Sequence, residues 1–243
     1  MKRFLVIFVS IIVLAYLIFS ISYWNDSLKD RECAKLEIII KDSTTYNFIS
    51  QQDIENLLKR KKIHPVGLSM SEINTMGIQD TIMTNRLVRS VEVYASQKDA
   101  IVIKVHQRIP VFRIISDLKG SFYIDNNREV MPISHNFSLY APLATGAIDH
   151  EFAKNELYDF YVYLKDNPYW DAWIEQIVVK PNKEVELIPR VGDFKILMGK
   201  LENYNEKLSR FSLFIDKGLN VVGWNRYSEI NLKFDNQVVC TRK

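Results

Sequence analysis

The feature that most constrains this chain is an apolar run close to its start. Phe4 to Ile21 is a stretch of 18 residues interrupted only by Ser10, Tyr16 and Ser20. As a helix rising ~1.5 Å per residue, it nearly crosses a hydrocarbon core of ~30 Å. Tyr23 and Trp24 come next, at the depth where amphipathic rings anchor to the membrane interface. The run reads as a single transmembrane helix, with Phe4, Ile12, Ile21 and Trp24 as membrane-anchor positions. A cleaved signal peptide would have a shorter apolar region, ~7–15 residues, followed by a small-x-small cleavage site. Ser22 to Ser27 supplies no such site, and Asp30-Arg31-Glu32 before Cys33 is unlike a lipoprotein signal. Lys2, Arg3 and the terminal amine have no acid beside them, whereas Lys29 and Arg31 are mixed with Asp26, Asp30 and Glu32. That asymmetry puts the N-terminus in the cytoplasm and everything after about Asn25 outside.

The remainder of the chain has enough apolar material for real cores. The chain has 243 residues, 47% of them hydrophobic and 25% charged, which suits one large domain or two small ones. A net charge of +3, with cations interspersed among acids, is too small and too dispersed for a nucleic-acid surface. Cys33 and Cys240 make no disulfide framework and read as free thiols.

The first compact pattern spans about seventy residues. Leu36, Ile38 and Ile40 alternate as in a short strand. Ser50 and Asp53 form a capping box, with Ile49 and Ile54 as its hydrophobic staple. The helix they open runs through Leu57 and Leu58 and ends in Lys59-Arg60-Lys61-Lys62, which matches the helix dipole. After His64-Pro65-Val66-Gly67 the same device returns at Ser69 and Glu72. It predicts a second helix through Ile73, Met76, Met83 and Leu87, weakened at Gly77. Two alternating strands, around Val91–Ala95 and Ile101–Val105, are joined by a hairpin-length link. Two helices can cover one face of such a three-stranded sheet.

The second half predicts strands at Phe122–Ile124 and Val130–Ile133, flanking the turn-rich Asp125-Asn126-Asn127. A helix over 150–165 carries Phe152, Leu157, Phe160, Tyr161 and Leu164, and Pro168 marks a stop. Three short strands come after it, at Ile174–Val179, Val185–Ile188 and Phe194–Leu197. A second helix, Leu201–Ile215, buries Tyr204, Leu208, Phe211 and Ile215. Ile230, Leu232 and Phe234 alternate in a strand, and Asp235-Asn236 turns the chain into a last strand, Gln237–Thr241.

Catalytic signatures are missing from the sequence. It has no Gly-x-Ser-x-Gly elbow and no His-Glu-x-x-His. Gly192 and Gly199-Lys200 are spaced wrongly for a phosphate loop, and no Ser or Thr follows the lysine. His64, His106, His135 and His150 are scattered rather than grouped as metal ligands. Asp125 and Glu129 read as a solvated hairpin tip, with a paired-carboxylate cleft as the sharper reading. Asn136-Phe137-Ser138 matches a glycosylation sequon, a short motif that carries little weight by itself.

The strand–helix–helix–strand–strand order behind a membrane anchor resembles the POTRA module of envelope proteins. Gln107-Arg108-Ile109-Pro110-Val111-Phe112 is similar to the Arg-x-Pro-x-hydrophobic segment that leads out of POTRA in the bacterial division family FtsQ/DivIB. Tyr123 to Val130 resembles that family's Asp-turn-hydrophobic hairpin. Tyr227 to Phe234 resembles its Ile-Asp-Leu-Arg-Tyr strand, with Asn231, Lys233 and Phe234 as departures, and Gln237-Val238-Val239 resembles its closing strand.

The resemblance implies an α+β chain in three parts: a cytoplasmic stub and transmembrane helix (1–24), a linker and POTRA-like domain (25–107), and a mostly antiparallel β domain with two helices (108–243). It implies a non-enzymatic division scaffold at the inner membrane, with its bulk in the extracytoplasmic space at the septum. It would use no cofactor, nucleic acid or small-molecule substrate. Its partners would be FtsB-like and FtsL-like single-pass proteins, held by β-augmentation on the terminal strand. The partner-binding residues implied are Tyr227, Ile230, Gln237, Val238, Val239, Cys240 and Thr241. A POTRA-bearing envelope chaperone or export factor is the alternative, and an anchored cell-wall enzyme a third reading.

Overall fold

The computed structural model describes residues 10–20, 31–41, 47–134 and 143–243. Residues 10–20 are helical with exposed side chains, Ile12 at 53%. Among the described residues no helix is long and apolar enough to cross a membrane. The expected single transmembrane helix is corrected accordingly. Phe4, Ile21 and Trp24, and of the flanking charges Lys2, Arg3, Asp26, Lys29 and Asp30, lie outside the described residues, as does the sequon.

The chain divides into two compact units, with the boundary between Gln107 and Arg108. In the first, β1 (Lys35–Lys41), α1 (Gln51–Arg60), α2 (Thr75–Met83), β2 (Val88–Ser96) and β3 (Ala100–Gln107) follow in order. The sheet order is β1-β3-β2, with β1 parallel and β2 antiparallel to β3. Ile54 and Leu58 on α1 and Ile78 and Ile82 on α2 are fully buried, the i, i+4 stripe expected of helices laid on a sheet. Ser50 and Asp53 form the expected capping box. The second cap is different. Asn74, not Ser69, accepts the Gly77 N–H at 2.8 Å. The backbone at Ser69 and Met70 is already engaged by Glu32 and Arg31, so it cannot wind into a helix there. A Cβ at Gly77 would come within 3.0 Å of the Asn74 side chain, so the residue that weakens the helix also makes room for its cap. Gln107, buried at the end of β3, accepts the N–H groups of Phe48 and Ile49, both at 3.0 Å, and fixes the entry to α1.

The second unit holds a nine-stranded sheet. Its strands are β4 (Pro110–Ser116), β5 (Gly120–Asp125), β6 (Val130–Pro132), β7 (Leu143–Gly146), β8 (Ile174–Val179), β9 (Val185–Pro189), β10 (Lys195–Gly199), β11 (Tyr227–Asn231) and β12 (Val239–Arg242). Their order is β12-β11-β10-β9-β8-β7-β4-β5-β6. Most neighbours are antiparallel; β10–β11, β4–β7 and β7–β8 are parallel. More helical elements appear than the two expected: α3 (His150–Lys154), α4 (Glu156–Asp166), α5 (Pro168–Trp173) and α6 (Tyr204–Phe214), the last running on into a π turn, Ile215–Leu219. Pro168 ends α4 but also opens α5 at its first turn, where a fixed φ and a missing N–H do no harm.

Helices α4 and α6 cover one face of this sheet. Leu157, Phe160 and Leu164 from α4, and Leu208 and Phe211 from α6, join Phe112, Ile177 and Ile196 in one core. Each fully buried aliphatic or aromatic side chain contributes roughly 1.5–3 kcal/mol. Phe112 stacks on Tyr161 with ring centroids 4.6 Å apart, and Trp170 on Phe211 at 5.9 Å. Burial pushes the Tyr161 phenol well above its usual pKa, so it stays neutral.

Candidate functional site

The two ends of the nine-stranded sheet differ. At one end β6 has three residues and closes on Pro132, which lacks a donor. At the other, β12 pairs with β11 alone. Its second edge therefore has no strand partner among the described residues, and no proline guards it. Such an edge presents backbone N–H and C=O groups to an incoming strand.

The register decides which side chains such a strand would meet. Ile230 pairs with Cys240, Asn231 with Val239 and Glu229 with Thr241. Ile230 is fully buried and Cys240 packs against the same core, so both lie on the inner face. Val239, 42% exposed, and Thr241 belong to the alternate face. Gln237 is exposed in the preceding turn, and Val238 is half-buried against the core. Tyr227 pairs with Arg242 and meets the Phe214 ring at 6.2 Å. The expected residues thus fall into two groups. Gln237, Val239 and Thr241 face solvent, while Ile230 and, in part, Tyr227, Val238 and Cys240 support the strand from beneath. Cys240 and Cys33 are both free, and burial raises the Cys240 thiol pKa.

β12 begins at Val239, two residues later than the alternation suggests, because β11 stops early. The Asn231 side chain accepts the Lys233 N–H at 3.0 Å, an Asx turn that ends the strand. Arg210 of α6 then donates to the carbonyls of Leu232 and Phe234, at 3.3 and 3.2 Å, tying this turn to the helix. Leu213 on α6 and Val221 and Val222 beyond the π turn are exposed. Sequence reasoning does not single these out. The available signal is Leu213, an apolar residue off the Leu208–Phe211–Ile215 stripe.

The Asp125–Glu129 pair makes no cleft. Asp125 is buried, bonded to Arg108 Nε at 2.8 Å and to the N–H groups of Asn127 and Glu129 at 2.9 and 2.8 Å. Arg108 also donates to Val130 O at 3.1 Å. Glu129 pairs with Lys154 at 2.9 Å. The expected solvated tip is corrected at Asp125, whose carboxylate closes the hairpin against the start of β4.

A family model described as FtsQ/DivIB, C-terminal related, matches residues 109–241, more than half the chain. The chain belongs to the FtsQ/DivIB family. A second model, a POTRA-like domain, matches residues 31–106. No curated protein matches the chain. FtsQ/DivIB membership supports a role in cell division.

Proposed function

We propose that this FtsQ/DivIB-family chain is a non-enzymatic scaffold of the division site that binds partner proteins through the open edge of β12. The observation that carries this reading is the last strand of the sheet, with one paired edge and one edge that has no strand partner among the described residues and no proline to guard it. A partner strand would gain main-chain hydrogen bonds from the edge and side-chain selection from Val239 and Thr241. FtsB-like and FtsL-like single-pass proteins are the partners that fit.

The test is a pull-down from detergent-solubilised membranes with wild type and Val239→Pro. Proline removes a backbone donor and disfavours pairing. With unchanged circular dichroism, the variant is expected to lose small coiled-coil membrane partners. Their retention would refute binding at this edge. Recovery of export or folding factors in place of division proteins would favour an envelope chaperone.

A further inference from the structure

Helix α1 ends in Lys59-Arg60-Lys61-Lys62. The helix dipole favours cations there, yet it does not account for how many stand unpaired. Lys59 is taken by Glu55 at 2.6 Å. Arg60, Lys61 and Lys62 are exposed, and among the described residues none has a carboxylate partner. Lys62 occupies a left-handed conformation, φ 58°, where helices usually place glycine. The Ile63 N–H bonds back to Leu58 O at 3.1 Å and closes the turn. The chain reverses here, and Lys62 comes to line a cleft of about 340 Å³ with Ile63, Pro65, Leu68 and Ile73. Leu68 is 43% exposed. Glu72 is the one acid lining this cleft.

We propose that Arg60, Lys61 and Lys62, with the apolar cleft that Lys62 shares with Leu68, form a docking face for the surface of an anionic phospholipid bilayer. Charge complementarity selects an anion. The exposed Leu68 in the cleft that Lys62 lines favours an amphiphile over a simple ion, since cations beside exposed apolar surface are what an interfacial face presents to lipid. The face is independent of the β12 edge.

The test reads lysine acetylation on the full chain by mass spectrometry. The chain is incubated with phosphatidylcholine vesicles, or with vesicles in which about a third of the lipid is phosphatidylglycerol. Lys61 and Lys62 are expected to react about three- to tenfold more slowly with the anionic vesicles, and ~0.5 M salt to remove that protection. Exposed Lys98 should change little. Equal rates on the two vesicles would overturn the proposal. So would equal protection by inorganic phosphate, which would mark a small-anion site, or by soluble polyglutamate, which would mark an acidic protein partner. The double variant Arg60→Gln with Lys61→Gln leaves Lys62 as reporter. Loss of its protection at an unchanged thermal midpoint supports the face, and retention overturns it.

Discussion

Asp125 shows how one buried residue can replace a cluster of weak ones. Its carboxylate is 2% exposed and holds Arg108 and two turn N–H groups at once. Removing one partner of a buried, hydrogen-bonded pair leaves the other charge uncompensated. Asp125→Ala should therefore lower stability by about 3–5 kcal/mol, read as the urea midpoint at unchanged slope. A value near that of a surface pair, under ~1 kcal/mol, would refute the role. Asp149 acts more mildly. Its oxygen accepts the Phe152 N–H at 2.7 Å, which with Lys183 holds the carboxyl below its usual pKa against some desolvation. A depressed folded pKa adds stability that is complete above the unfolded value near 3.8 and fades as pH falls through the folded one. Asp149→Ala should cost about 1 kcal/mol at neutral pH, and the difference from wild type should shrink below pH ~4. Residue type alone places Asp125 in a turn, correctly. It cannot show burial, because the partner that makes burial tolerable lies 17 residues away.

Among the elements, those set by short-range chemistry are legible in the sequence and those set by distant neighbours are not. The Ser50–Asp53 box lies within one turn and can be read directly. Ser69 shows the same local signature, but pairing with Arg31 and Glu32 claims its backbone first. The last strand is legible as an alternation. Its true start depends on the Asn231 side chain and on Arg210 from a helix, neither of which the alternation records. Strand β7 leaves no readable pattern. Its four residues are anchored by parallel pairing on both sides, with β4 and β8, and by one close approach. At Gly146, φ 103°, a Cβ would meet Val179 O at 2.1 Å. Gly146→Ala must push β7 from β8 and adopt a conformation alanine disfavours. A loss of about 3 kcal/mol or more is expected in thermal or urea unfolding. A loss below ~1 kcal/mol would mean that the strands part easily.

Across the molecule, the sequence foretells two compact folding patterns and their element order. The apolar run is real, yet among the described residues no helix is long and apolar enough to cross a membrane. The candidate site is reached through resemblance and strand position together, since Gln237 to Thr241 carries no chemistry of its own. Its openness predicts a behaviour of the whole chain. Without a partner, wild type should form concentration-dependent oligomers in sedimentation velocity, and Val239→Pro should form fewer. Equal association of the two would show that the edge is not what joins copies.

The unguarded strand also sets a condition on supply. Its backbone groups can accept an extended segment of compatible shape, so on the proposed reading a sister copy would compete with the guest for the same berth. A cell that makes this chain in excess of its guest would divert the surplus into self-paired, unproductive complexes. The two would then have to be produced in matched amounts, and overexpression alone would interfere with division even with every residue intact.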